Sequence, residues 1–243
     1  MNCNGSGNHE VGVLIVAIDG PAGAGKSTAA KAVARELGFR YMDTGAMYRG
    51  VALKVMQQSG NPLDEDLLQK ILATTTVELA YEADRLQVLL DGHDVSSQIR
   101  SAEVGQMASK VSSLRSVREK MVDLQRGMGQ GGHVVAEGRD MGTVVFPGAL
   151  VKVYLDASPE ARAERRCREL RTRGESVTLE ETLADVRDRD RRDTGREFAP
   201  LRQADDAMRI DSTGLTADAV VGLIVQEVQR KQLKTNQDGR FVS

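Results

Sequence analysis

Two kinds of apolar pattern alternate along the chain. Val13-Leu14-Ile15-Val16-Ala17-Ile18 is a continuous, β-branched run, which predicts a strand buried on both faces. Lys26–Leu37 then places Ala30, Val33, Ala34 and Leu37 at helical spacing, with Gly38 as a C-cap. Phe39–Met42 predicts a second strand, ended by Asp43-Thr44-Gly45. A second helix follows from Ala46 to Gln58, with Tyr48, Val51, Ala52 and Val55 on one face, and Ser59-Gly60-Asn61-Pro62 stops it.

The period then changes. Asp64 caps a short helix carrying Leu67, Leu68, Ile71 and Leu72. Val77, Leu79 and Tyr81 alternate with polar positions, as do Leu86, Val88 and Leu90, which is a hairpin signature. Asp91-Gly92 marks another turn, and Val95–Ile99 reads as a further short strand. Helices return at Val104, Met107, Ala108 and Val111, and at Val117, Met121 and Leu124 with Ser116 as cap. Gly127-Met128-Gly129-Gln130-Gly131-Gly132 reads as a loop joining helix to strand rather than a second nucleotide loop. Strands follow at His133–Ala136, Leu150–Leu155 and Ala207–Ile210. Thr216 caps a closing helix with Val220, Val221, Ile224, Val225 and Val228 on its stripe.

Strands alternating with helices predict an α/β fold: a five-stranded parallel sheet with helices on both faces, plus an antiparallel insert. In such sheets ligands bind at the carboxyl ends of the strands. The loop from Gly20, the turn at Asp43 and the turn at Arg139 all fall there, so strand order alone assembles one site.

Composition narrows the class. The 243 residues are 40 % hydrophobic and 28 % charged, with no Trp, so the core is built from aliphatic residues and Met. A net charge of −2 argues against a nucleic-acid polymer or a membrane surface as partner. Two cysteines, Cys3 and Cys167, without paired spacing suit a reducing cytosol and offer no metal site. No apolar run reaches the length of a membrane helix. Residues 1–12 read as a flexible polar leader and 234–243 as a polar tail.

Four stretches carry chemistry. Gly20-Pro21-Ala22-Gly23-Ala24-Gly25-Lys26-Ser27 fits G-x-x-x-x-G-K-[ST] between a strand and a helix, the context that separates a phosphate-binding loop from a chance glycine turn. Backbone N–H groups and the helix start would cradle a di- or triphosphate, Lys26 would reach the β- and γ-phosphates, and Ser27 would offer a hydroxyl to Mg²⁺. No Asn-Lys-x-Asp motif marks a guanine-specific GTPase, and no apolar strand ending in Asp offers a clear Walker-B partner. This favours transfer of a γ-phosphoryl group to a small acceptor. A kinase for UMP, AMP or another metabolite, and a non-catalytic ATP-binding switch, stand as alternatives.

The stretch Glu160–Arg196 holds eleven arginines, ten acids and no lysine. Pairs at i,i+4 (Glu164 with Arg168, Glu169 with Arg173, Asp185 with Arg189, Asp188 with Arg192) and a capping box at Thr178-Leu179-Glu180-Glu181 describe an ion-paired helical hairpin. The exclusive use of arginine adds a second reading, forked contacts to phosphate oxygens from a hairpin that closes over ATP. Gly174 and Gly195 sit where it would bend. The third stretch, Asp43-Thr44-Gly45-Ala46-Met47-Tyr48-Arg49, puts a carboxylate, a hydroxyl and an arginine after the second strand. In the fourth, Glu137-Gly138-Arg139-Asp140, Arg139 suits a phosphate and Asp140 an exocyclic amine such as cytosine N4; a structural ion pair at a turn explains the same residues.

With Met42-Asp43-Thr44-Gly45-Ala46-Met47-Tyr48-Arg49, Glu137-Gly138-Arg139-Asp140-Met141-Gly142-Thr143, Arg189-Asp190 through Arg196-Glu197-Phe198-Ala199-Pro200-Leu201, and Asp211-Ser212-Thr213-Gly214-Leu215, the chain resembles the bacterial cytidylate kinases, from Val13 to Val228. The resemblance implies a P-loop nucleoside monophosphate kinase fold, with core segments 13–43, 105–156 and 199–233, an acceptor-binding insert 44–104 and a helical lid 157–198. It implies ATP as donor bound by Gly20, Pro21, Ala22, Gly23, Ala24, Gly25, Lys26, Ser27 and Thr28, with Mg²⁺ at Ser27. It implies CMP or dCMP as acceptor, surrounded by Thr44, Arg49, Ser109, Arg118, Arg139, Asp140, Arg189, Asp193 and Arg196. Ser109, Arg118 and Asp140 would read the base, Arg49, Arg139, Arg189 and Arg196 would hold phosphate, and Asp193 would sit by the ribose. Lys26, Arg139, Arg189 and Arg196 would act on the transferring group. A cytoplasmic monomer is the expected form.

Overall fold

The computed structural model describes residues 13–58, 64–82 and 85–237. The elements run β1 (Ile15–Asp19), α1 (Lys26–Leu37), β2 (Arg40–Asp43), α2 (Thr44–Gln57), α3 (Glu65–Thr74), β3 (Val77–Glu82), β4 (Arg85–Leu90), β5 (His93–Asp94), α4 (Ala102–Val111), α5 (Arg115–Gly129), β6 (Val134–Gly138), β7 (Val151–Asp156), α6 (Pro159–Thr172), α7 (Leu179–Thr194), β8 (Met208–Asp211) and α8 (Ala217–Gln237). The leader at 1–12, the stop at 59–63 and residues 238–243 of the tail lie outside the described residues; α8 itself runs on to Gln237.

The predicted sheet is present. Five strands pair in the order β2-β6-β1-β7-β8, every pairing parallel. Because side chains alternate along β1, Val16 and Ile18 face one layer and Ala17 the other. The first face packs Ala30 and Val33 of α1 with Ile224 and Val228 of α8. The second packs Met42 and Ala136 with Val122 of α5 and Met141. Residues such as Val16, Ile18, Val33 and Ile224 are fully buried, each contributing about 1.5–3 kcal/mol of transfer free energy. The hairpin β3–β4, extended by β5, is antiparallel and belongs to a separate core with α2, α3, α4 and α5. Lys54 Nζ on α2 ties the hairpin back through Asp91 at 2.7 Å.

Three local expectations are corrected. Val95–Ile99 is not a strand. Asp94 accepts from the Ser96 N–H at 2.8 Å and the Val88 N–H is taken by Ser96 Oγ at 2.9 Å, so the ladder stops and a 3₁₀ turn, Gln98–Arg100, follows. Ser116 does not cap α5. The helix starts at Arg115 after Leu114, which packs on the insert core, while Arg118 Nη1 reaches back to the Ser112 carbonyl at 3.2 Å. Gly127 and Gly129 are not loop residues. The helix runs through both, and Gly129 is small because a Cβ there would lie 2.6 Å from the Phe146 ring.

Several signals hold to the residue. Asp64 caps α3, Thr216 accepts from the Ala219 N–H, and Thr178 with Glu181 forms the capping box of α7. Of the four predicted lid pairs only Glu169 with Arg173 forms. Asp188 pairs with Arg191 instead, and Arg162 turns inward to Asp190. The hairpin α6–α7 therefore keeps its surface ion pairs but changes partners, with Arg166 on Glu169 and Arg187 on Glu160, while Arg162 and Arg165 turn inward to the glycine loop and to Ser212.

Candidate active site

The site forms at the carboxyl ends of β1, β2 and β6. β1 ends at Asp19, and the glycine loop turns from there into α1. Gly20 has φ +148°, and a Cβ on it would sit 1.9 Å from the Leu155 carbonyl oxygen of β7, so only glycine fits. The loop is held by α6 and by the turn after β8: Arg162 Nη1 donates to the Ala22 carbonyl at 3.2 Å, and Ser212 Oγ donates to the Ala24 carbonyl at 3.0 Å. Arg165 in turn donates to Ser212 Oγ at 3.0 Å and to its carbonyl at 2.6 Å. Ser27 and Thr28 are exposed at the start of α1.

Lys26 is buried at 6 % exposure, and its ammonium donates to the Pro21 carbonyl at 2.8 Å. Burial, with repulsion from Arg139, lowers its pKa to about 7, opposed by Glu137. Arg189 also repels Lys26, so the arginines of β6 and α7 crowd the donor loop itself.

On the facing side, Asp193 of α7 gathers three arginines. Arg139 Nε donates to it at 2.8 Å, Arg196 bonds its other oxygen, and Arg189 lies at 4.0 Å. Burial raises the Asp193 pKa, but Arg139, Arg196 and Arg189 together hold it below the usual carboxylate range. Arg189 is driven down to about 9 by loss of water and by repulsion from Arg139, with Arg49 adding to it. Its side chain is still 32 % exposed, and a guanidinium stays protonated under ordinary conditions. The shift therefore describes crowded positive charge with too few anions.

Next to this cluster lies a buried pair. Arg118 on α5 bonds Asp140, just after β6, and both are almost sealed from solvent. Tyr48 stands over the Arg118 guanidinium with 5.5 Å to the ring centre. Ser109 on α4 is buried and its hydroxyl has no hydrogen-bond partner. Thr44 donates to the Glu137 carbonyl at 2.6 Å, which locks the start of α2 to the end of β6. The fold thus brings together Thr44, Arg139, Asp140, Asp193, Arg189, Arg196 and Arg118. Arg49 acts on Arg189 through charge alone, and Ser109 joins through Ser112, whose hydroxyl donates to the Ser109 carbonyl at 3.1 Å.

Two residues escaped the sequence. Ser112 links both groups: its carbonyl accepts from Arg118, and its hydroxyl accepts from Arg196 Nη2 at 3.1 Å. No motif marks it. Glu137 is buried near the end of β6, one strand from the glycine loop, and bonds the Tyr41 hydroxyl. Burial and the nearby Asp43 raise its pKa, opposed by Lys26 and by the Ser27 and Tyr41 hydroxyls. Its signal was present as an acid closing the apolar run Val134-Val135-Ala136, but the expected residue type was Asp.

The family model for cytidylate kinase matches residues 16–230. The chain belongs to the cytidylate kinase family. It is 49 % identical over 219 residues to the cytidylate kinase of Geobacter sp. (strain M21), covering 90 % of this chain and 94 % of that protein. It is 49 % identical over 214 residues to the cytidylate kinase of Pelotomaculum thermopropionicum, covering 88 % and 95 %. The Vibrio cholerae cytidylate kinase is 44 % identical over 217 residues, covering 89 % and 96 %. Membership in the cytidylate kinase family makes the protein a nucleoside monophosphate phosphotransferase. Among the described residues no helix is long and apolar enough to cross a membrane.

Proposed function

We infer that this protein transfers the γ-phosphoryl group of ATP to CMP or dCMP, giving ADP and CDP or dCDP. The observation that carries this reading is the gathering of Arg139, Arg189 and Arg196 on the buried Asp193, beside the glycine loop that holds the buried Lys26. Two positively charged half-sites that close share one missing counter-charge, and two phosphates meeting head to head supply it.

In this reading the loop Gly20–Thr28 cradles the ATP phosphates, and Arg118 with Asp140 meets the cytosine edge, helped by Ser109. Thr44 and Arg49 border the acceptor from α2, and Asp193 serves the ribose while it orients Arg139, Arg189 and Arg196. An α-phosphate oxygen of CMP attacks the γ-phosphorus; that P–O bond forms as the bond to the β,γ-bridging oxygen breaks, and the electron pair leaves with ADP. Negative charge on the three equatorial oxygens is met by Lys26 and the arginines. No strong base is needed, because a nucleotide phosphate is already ionised near neutral pH. We assign 44–104 to the acceptor insert and 157–198 to a lid that excludes water.

Mg²⁺ fits the donor set. Among the described residues no cluster of three or more His, Cys, Asp or Glu could hold a metal alone, whereas Mg²⁺ keeps waters and phosphates and asks for few protein ligands. Ser27 would ligate it and Glu137 would stand behind; when bound, the ion neutralises phosphate charge.

The test is an acceptor panel under Mg·ATP. Saturable ADP release with CMP and dCMP, and at least about tenfold less with AMP, supports the reading. Comparable rates with AMP, or ATP binding without any acceptor-dependent turnover, would overturn it.

A further inference from the structure

Asp19 is the last residue of β1 and stands in register with Gly138 of β6, one residue before Arg139. It is 4 % exposed. Its two carboxylate oxygens each accept one backbone N–H, from Met141 at 2.8 Å and from Gly142 at 2.7 Å. Those two amides begin the π-helical turn Met141–Val145 that follows directly on Arg139 and Asp140. Asp140 itself sits in an irregular conformation (φ −147°, ψ 23°), and its side chain caps nothing. The segment carrying both residues is thus anchored by Asp19 on one side.

We propose that Asp19 is the positioning residue for the acceptor half of the site. Its carboxylate fixes the turn that aims Arg139 at phosphate and Asp140 at the base, and it does so from the strand that feeds the donor loop. A wide helical turn such as a π-turn leaves amide N–H groups without their usual i−4 partners, and a carboxylate with two acceptor oxygens satisfies a pair of them at once. Lys26 lies close enough to act on Asp19 through charge, as does Asp140, so the residue stands between the two half-sites.

Stability alone does not account for a carboxylate here. Burial outweighs the two N–H bonds and raises its pKa to about 6, so the ionised form is held at a cost near neutral pH. A smaller apolar residue would avoid that cost but would release the turn. The mechanism described above makes no use of Asp19, and no phosphate contact is asked of it.

The inference rests on the acceptor roles given to Arg139 and Asp140, so the experiment separates the two. Asp19→Asn keeps the volume but turns an amide NH₂ toward one of the two backbone N–H groups. The expected result is a rise of about tenfold in KM for CMP, with ATP affinity by calorimetry changed less than about twofold. In the Arg139→Ala background the same substitution should cost less than in the wild type, because the share acting through Arg139 is already lost while the share acting through Asp140 remains. Full additivity, or equal losses toward ATP and CMP, would overturn the proposal. If Arg139→Ala alone leaves CMP kinetics unchanged, the acceptor reading fails; if it impairs them and Asp19→Asn does not, only this inference fails. Should Asp19→Asn not fold, Asp19→Glu is the second variant: it keeps the charge but its longer side chain moves the two acceptor oxygens away from the Met141 and Gly142 N–H groups. It should show the same CMP-only signature, and an unchanged KM for CMP would count against the proposal.

Discussion

Arg118 and Asp140 form an ion pair whose side chains are 1 % and 2 % exposed, on a helix and a strand end 22 residues apart. Burial this deep makes each partner dependent on the other. Asp140→Ala should lower unfolding free energy by about 3–5 kcal/mol in urea titration, because an uncompensated guanidinium remains inside. The same variant should raise KM for CMP. A loss below about 1 kcal/mol would show that water reaches Arg118 in the variant.

Arg189 makes no close bond, yet it repels Lys26 across the site. Arg189→Ala should therefore lower kcat by about 100-fold or more while ATP affinity stays nearly unchanged. Steady-state kinetics with calorimetry decides it. Turnover like that of the wild type would remove Arg189 from the residues acting on the transferring group.

Lys26 has its pKa lowered to about 7 by burial and neighbouring arginines. Phosphate favours the charged ammonium, so nucleotide binding should raise that pKa and draw a proton from solution. Calorimetry near pH 8 in buffers of differing ionisation enthalpy should report proton uptake on ATP binding. A heat independent of buffer would refute it.

Asp19 titrates near 6 in the folded chain, above its unfolded value of 3.8. The folded state then binds more protons between those values. Its contribution to stability is full below pH 3.8 and is lost as pH rises through about 6, amounting to about 3 kcal/mol. The stability difference between wild type and Asp19→Asn should shrink by about that amount from pH 4 to pH 7. Parallel pH profiles for the two proteins would contradict it.

The parallel sheet was legible because each strand is a short apolar run and each covering helix has a clean stripe, as Ala30, Val33, Ala34 and Leu37 show. Caps were legible because they are local: Asp64, Thr178 and Thr216 each reach only three residues. What local pattern does not carry is long-range packing. Gly129 looks like a helix breaker until the Phe146 ring is set against it. Val95 and Ile99 look like strand residues because they are buried, but the ladder is closed by the Ser96 side chain. In the site, Arg139 and Asp140 stood out by residue type at a strand end, whereas Asp193 was marked only by the family resemblance. Ser112 did not, because a serine on a helix end gives no sign that two arginines from different elements will converge on it.

One strut across the α6–α7 hairpin has a thermodynamic corollary. Arg162 joins the Ala22 carbonyl of the glycine loop to Asp190 of α7, with 3.0 and 2.6 Å bonds to the carboxylate, and Asp193 on the same helix holds the acceptor arginines one turn later. Helix α7 is therefore tied at once to the glycine loop and to the arginine cluster. Any change that ATP makes in the affinity for CMP must be returned, factor for factor, by CMP on ATP. If the two nucleotides bind as proposed, whatever part of that mutual effect runs through Arg162 is lost in both directions alike when the strut is cut.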